Sequence, residues 1–421
     1  MYKLIEKNIE WLVALAVVLI TTFKLFRSLM VAYELSFINY YVRYLIIFIL
    51  LLVSVFQSKH DGFKVHDRLF GTFYFVYCIY ILLDITLLRR YPLENMLSVP
   101  RSVLDYSYEL IVSVGYLLCA KTIYIYFNVK KYVLLSLIVC TIPSVLFIQT
   151  VGVDLIQSGI GRDDQEYIST LTITYANVPL LVLAVMNFNT LFKNKRLSVI
   201  ISLTIIASVV YVFFAYGKRG PMLWSLVNIA ICFYMITKKS INYIIIAAIF
   251  IAILYANIDS IIDGISQVLP RTGERIELAL KEGDTNGRFD MEDTKHSTYL
   301  IGLENFSRSP VWGYYFRLVT VDNLYKGAYA HNVFIEILMT MGLLGFIPFM
   351  VLIKKALKKT YIRFKKSYTK NQLAFLVLFL CSFLQLQTTG TCVFDHEFWL
   401  FLYILCCMDI FSSQKILIRM Q

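Results

Sequence analysis

Leu197-Ser198-Val199-Ile200-Ile201-Ser202-Leu203-Thr204-Ile205-Ile206-Ala207-Ser208-Val209-Val210-Tyr211-Val212-Phe213-Phe214-Ala215-Tyr216 is a run of residues without a charge. Crossing the hydrocarbon core of a bilayer as a helix takes about 20 apolar residues. Lys193, Lys195 and Arg196 stand before the run, and Lys218 and Arg219 follow it. Blocks of this kind recur along the chain, which is 58% hydrophobic and only 16% charged over 421 residues. A soluble chain of this length would carry more charge and split into two or three domains. Lipid offers no partner for a free backbone N–H or C=O, so each block reads as a helix. The alternation of polar and apolar residues that marks a membrane β-barrel is absent. The expected class is therefore all-α, a polytopic integral membrane protein.

Working outward from that run, twelve spans are predicted: 10–30, 37–56, 69–88, 107–127, 132–150, 168–191, 197–216, 221–237, 241–262, 331–352, 371–389 and 398–411. With both termini inside, the inner segments hold 22 basic residues and the short outer loops hold 6. That bias orients the chain with its N-terminus in the cytoplasm. The organisation is 1–262 for helices 1–9, 263–330 for one large outer loop and 331–421 for helices 10–12. The first segment lacks a small-residue cleavage site and reads as an uncleaved helix. Within the large loop, Tyr299 to Phe306 has the pattern of an amphipathic helix on the membrane surface. A loop this long is usually functional or disordered, and its aromatic residues argue against disorder.

The net charge of +12 belongs to this orientation and not to nucleic-acid binding, which is excluded as a function. No phosphate-cradling glycine loop and no zinc-type cysteine spacing occurs. Seven of the eight cysteines lie in apolar stretches and only Cys392 falls in an outer loop, so no structural disulfide is expected.

Candidate chemistry gathers on the outer face. Tyr216-Gly217-Lys218-Arg219-Gly220-Pro221 places two cations at the head of an inward-running helix, with Pro221 suited to its first position. A helix N-terminus beside glycines is an anion site, and an arginine fork grips two phosphate oxygens. The alternative is a tight turn with two solvated cations. His331 opens the apolar helix Asn332-Val333-Phe334-Ile335-Glu336. The positive end of that helix disfavours imidazolium, and a neutral imidazole can take a proton from a sugar hydroxyl. The alternative is an interfacial histidine at a helix end. Glu336 lies at membrane depth, where an ionisable group is by default functional or paired with a neighbouring helix. Asp395-His396-Glu397 is a rival source of a general base. Arg288, in Asn286-Gly287-Arg288-Phe289-Asp290, reads on its own as a solvated side chain. Asp163-Asp164 is a weak candidate for a divalent cation.

Three of these patches together resemble the O-antigen ligase/polymerase family of lipid-linked polysaccharide glycosyltransferases. His331-Asn332, followed by Glu336-Ile337-Leu338 and Gly342-Leu343-Leu344-Gly345, is similar to the family's helix that begins His-Asn and continues to a Gly-x-x-Gly pair. Lys218-Arg219-Gly220 resembles its Ser-Arg-Gly stretch, with lysine in place of the usual serine. Gly287-Arg288, then Glu304-Asn305-Phe306 and Ser309-Pro310-Val311-Trp312-Gly313-Tyr314, resembles its arginine followed by a Pro-x-x-Gly turn, here less rich in glycine. The patches span about 217–350; the first two hundred residues match only in being hydrophobic helices.

The resemblance implies a glycosyltransferase at the outer leaflet of the bacterial cytoplasmic membrane. Its donor would be an undecaprenyl-diphosphate-linked oligosaccharide or polysaccharide, with no nucleotide sugar, no cofactor and ordinarily no metal. It implies that Arg219 and Arg288, with Lys218 beside them, hold the diphosphate and that His331 activates the acceptor hydroxyl. Asn332, Glu336 and His396 stand behind these. A chain-length regulator and a flippase are the partners such an enzyme works with, besides the lipid bilayer. Between a polymerase of repeat units and a ligase of finished chains, the richness in Ile, Lys, Asn, Tyr and Phe favours the polymerase. A flippase for the same lipid-linked sugar and a membrane scaffold are the readings from other classes.

Overall fold

The computed structural model describes residues 2–23, 25, 36–57, 66–83, 103–151, 170–216, 219–237, 263–264, 267, 298–313, 332–388, 392 and 395–420. These residues are 89% helical, with no strand among them. The helices are α1 (Tyr2–Thr21), α2 (Ser36–Gln57), α3 (Arg68–Leu83), α4 (Val103–Tyr126) and α5 (Val129–Ser136). A π-helical turn (Leu137–Thr141) joins α5 to α6 (Ile142–Val151). Then come α7 (Thr170–Met186), α8 (Lys195–Tyr216), α9 (Arg219–Ile236), α10 (Thr298–Arg308), α11 (Val333–Lys366), α12 (Lys370–Gln385) and α13 (His396–Met420). Among the described residues, five stretches are long and apolar enough to cross a membrane: Tyr108–Tyr126, Val129–Thr150, Lys195–Tyr216, Val333–Lys366 and His396–Gln414. Shorter apolar helices occupy the other predicted spans that the described residues reach. The predicted span at 241–262 lies outside them.

The boundaries depart from expectation in one instructive place. The basic stretch after residue 352 was expected as an inner loop, but α11 continues to Lys366. Leu352, Ala356, Thr360 and Phe364 are buried at intervals of four, which keeps one face of a helix in the protein. Of the lysines between them, Lys354 and Lys358 are exposed, while Lys355 reaches the Asp67 carboxylate and Lys359 the Cys406 carbonyl. A three-residue turn, Ser367 to Thr369, then leads straight into α12.

The chain folds into two compact units built from interleaved segments. The first comprises Met1–Leu50, Tyr126–Gly283 and Tyr361–Cys381. Here α7 packs against both α8 and α9, and α1 packs on α5. Pro143 has no N–H to continue the α-helical ladder, and the π turn ends two residues before it. Neutral polar groups join these helices. Thr141 donates to Asn177 Oδ1 at 2.7 Å, and Asn177 donates to Ser144 at 3.2 Å. Such bonds hold helices together where lipid and side chains are equally apolar. Cys140, Ile148, Ile173, Val212, Ala215 and Tyr216 form the buried core at that end. At the basic end, Lys131 pairs with Glu10 at 2.8 Å and Asn371 accepts from the Val129 N–H at 3.0 Å.

The second unit comprises Leu51–Ile125, Asp284–Thr360 and Ser382–Gln421. Its centre is aromatic. The Trp399 ring lies 4.8 Å from both Tyr77 and Phe398, and Phe73 reaches both Phe349 and Trp399. Trp399 is fully buried. Trp399 and Tyr77 of this cluster also bond to Cys392.

Candidate functional site

The candidate site lies in the second unit, where α11 and α13 begin. Asn332 caps α11: its Oδ1 accepts from the Phe334 N–H at 3.0 Å and the Ile335 N–H at 3.2 Å. That satisfies two of the four donors a helix start leaves open. The Val333 N–H donates to Leu386 O at 3.0 Å, which fixes the start of α11 on the end of α12. Asn332 is thus a structural cap; His331, just before it, lies outside the described residues.

One turn along α11, Glu336 is 5% exposed, and its Oε2 accepts from the Cys392 N–H at 3.2 Å. The Cys392 carbonyl accepts from Trp399 Nε1 at 2.8 Å, and its thiol lies within hydrogen-bonding distance of the Tyr77 hydroxyl, at 3.3 Å. Burial pushes the Cys392 thiol well above its usual range, and the nearby Glu336 and Asp395 carboxylates push the same way. The connection from α12 to α13 is therefore fastened at Cys392 to α11, α13 and α3 together.

His396 is the first residue of α13 and is buried. Its Nε2 is hydrogen-bonded to Glu109 Oε2 on α4, with the two side chains only 5% and 12% exposed. The Tyr116 ring stands edge-on to the imidazole, at 6.2 Å. Asp395, directly before it, is 1% exposed. The sequence reading named His396 and Asp395 and missed Glu109. The rule that singled out Glu336, a carboxylate inside an apolar block, also applies to Glu109 within 107–127.

The fold also joins two stretches that were read separately. α10 ends in the turn Ser309 to Gly313, and α11 is broken at Gly342, whose φ is 60° and ψ −160°. The break frees the next two N–H groups. The Leu343 N–H donates to Pro310 O at 2.9 Å, and the Leu344 N–H donates to Val311 O at 3.2 Å. Gly313, at φ 77°, sits so close that a Cβ there would strike the Thr340 and Met341 backbone. A Cβ on Gly342 would strike Val311 O and the Gly313 nitrogen. Two glycines thus let the turn seat in the helix break. Irregular backbone at membrane depth persists only where protein or a water-filled cavity satisfies it. On α10, Tyr299 and Asn305 are buried, with Asn305 Nδ2 3.7 Å from Met339 Sδ and the Tyr299 hydroxyl donating to Gln387 O at 3.0 Å.

In the first unit, α9 starts at Arg219, so Pro221 is its third residue and not its first. It still falls in the first turn, where no N–H partner is lost. α8 ends at Tyr216, which is buried, so only Gly217 and Lys218 connect the two helices. The placement of Arg219 at a helix N-terminus matches the geometry that favours anions. Lys218, Arg288, His331 and the pair Asp163-Asp164 lie outside the described residues, as does the Arg219 side chain. Among the described residues, no three His, Cys, Asp or Glu side chains come together as a metal cage.

Comparison with protein-family models, curated proteins and solved structures finds no match to this chain.

Proposed function

We propose that the chain is a polysaccharide polymerase of the outer leaflet of the cytoplasmic membrane. In this reading it spans the bilayer twelve times with both termini inside. It transfers an undecaprenyl-diphosphate-linked glycan onto a lipid-linked repeat unit during O-antigen or capsule assembly. Arg219 and Arg288, with Lys218, hold the diphosphate as it gathers negative charge on leaving. Preorganised cations at such a point are worth on the order of a hundredfold or more in rate. His331 takes the proton of the acceptor hydroxyl.

One observation carries the reading. Two of the stretches that resemble the family, the turn Ser309 to Gly313 and the Gly342-Leu343-Leu344 segment, are bonded to each other backbone to backbone. Their pairing in sequence thus has a physical counterpart. The buried carboxylates and imidazole at the head of α11 and α13 add to it, since ionisable groups at membrane depth are costly to keep without a role.

The test is the glycan made by cells lacking the protein. Single repeat units in place of long chains are the expected result. Long chains stranded on the carrier lipid would make it a ligase. Units trapped on the inner leaflet would make it a flippase, and an unchanged profile would leave a scaffold.

A further inference from the structure

The joints that α4 makes with its neighbours differ in kind along its length. Tyr74 donates to Ser113 at 2.5 Å, Thr122 is hydrogen-bonded to Ser54, and Tyr124 meets Ser412 at 2.5 Å. These are neutral hydroxyl pairs, sufficient to hold helices together in lipid. At the outer end the joint is His396 with Glu109. A titratable pair this deeply buried costs desolvation that a hydroxyl pair does not. Helix association alone therefore does not account for it.

The pair also has company. Asp395 adjoins His396 in the chain, and three residues before it the Cys392 N–H donates to Glu336. Glu336 in turn is one helical turn beyond Asn332, the cap that follows His331. Titratable groups thus stand on α11 at Glu336, at Cys392, and on α13 and α4 at His396 and Glu109. Chains of Asp, Glu and His at membrane depth are the usual material of proton relays.

We propose that the His396–Glu109 pair, approached through Glu336 and Asp395, is a proton relay that carries the acceptor's hydroxyl proton away from the transfer site. The inference rests on the glycosyltransferase reading. In the transfer the acceptor O–H bond breaks and its proton passes to the base. The oxygen's electron pair forms the new bond to the anomeric carbon. The bond from that carbon to the diphosphate breaks, and its electrons leave with the diphosphate. The proton must then depart before the next acceptor binds. His396 can take it, the Glu109 carboxylate stabilising the resulting cation, and then releases it to water before the next turnover. Among the described residues, the titratable groups at this end include Tyr108, Glu109 and Tyr116 on α4, Tyr77 on α3, Glu336 on α11, Cys392 and Asp395 before α13, and Glu397 within it.

The test uses the full-length protein in its own membranes. It is supplied with the lipid-linked glycan that accumulates in cells lacking the protein. His396→Gln and Glu109→Gln both keep a hydrogen bond across the joint but cannot pass a proton. The relay predicts normal protein level, an unchanged KM for the lipid-linked glycan and a kcat lower by about a hundredfold. It also predicts that the proton-linked limb of the pH–rate profile disappears. Wild-type kcat with a wild-type pH profile in both glutamine variants would overturn it, as would a loss seen only in His396→Ala with reduced protein level. If wild-type membranes lengthen no glycan at all, the glycosyltransferase reading fails. If they lengthen it and both glutamine variants do so equally well, the relay alone fails.

Discussion

Asp67, immediately before α3, is 5% exposed and accepts from Lys355 Nζ at 2.7 and 3.0 Å and from the Phe70 N–H at 3.1 Å. Burial pushes its carboxyl up, but the Lys355 ammonium, the Phe70 N–H and Lys359 outweigh burial and leave it below its usual value. Its folded value is depressed, so its stabilisation is complete above the unfolded carboxylate range, about pH 4. It is lost as pH falls through the lower folded value. Asp67→Asn, which strands a partly buried ammonium, is expected to cost about 2–3 kcal/mol at neutral pH. Thermal unfolding in detergent measures this, and the difference from wild type should shrink as the pH is brought below 4. Glu336→Ala, which leaves the Cys392 N–H without its acceptor, is expected to cost about 1–3 kcal/mol by the same measurement. Glu336 was legible in the sequence because a carboxylate inside an apolar run announces itself. Its partner was not, since the Cys392 N–H is a backbone group 56 residues away. The same holds for Glu109, whose bond to His396 spans 287 residues of sequence.

At the scale of the element, α11 carries most of what the sequence foretold and most of what it concealed. Its apolar start and its glycine pair were evident. The break at Gly342 was not, because a glycine inside an apolar run reads equally well as a packing site or a bend. What decides it is the turn from 310 to 313, which supplies the Pro310 and Val311 carbonyls for the freed N–H groups. Gly342→Ala must place a Cβ against that turn at positive φ. It is expected to destabilise the protein by about 3 kcal/mol or more. Gly345→Ala, whose added Cβ would strike the Met341 Cβ but at no positive φ, adds a clash without the backbone strain and should cost less. Comparing the amount and thermal stability of the two purified variants checks the order. The helical continuation of α11 to Lys366 was hidden by its lysines. Charge dominated the reading, whereas the spacing of Ala356, Thr360 and Phe364 governs the structure.

Over the whole molecule, all-α character and candidate membrane spans were legible because lipid permits so few solutions for apolar blocks. The division into two interleaved units was not, since contacts between segments far apart in sequence leave no local pattern. The charge bias predicts that the turns at Asn194 and Tyr368 face the cytoplasm and that Gly217 faces outward. Reporter insertions at these three positions check it, and an outward Tyr368 would invert the assigned faces and move the site to the wrong leaflet. The central claim is a transfer reaction that joins lipid-linked repeat units, with His331 as base. The direct measurement is the length profile of surface and lipid-linked glycan in cells carrying His331→Ala, with the protein at its normal level in the membrane. Single repeat units in place of long chains are the predicted result. Long chains of normal distribution would contradict the account.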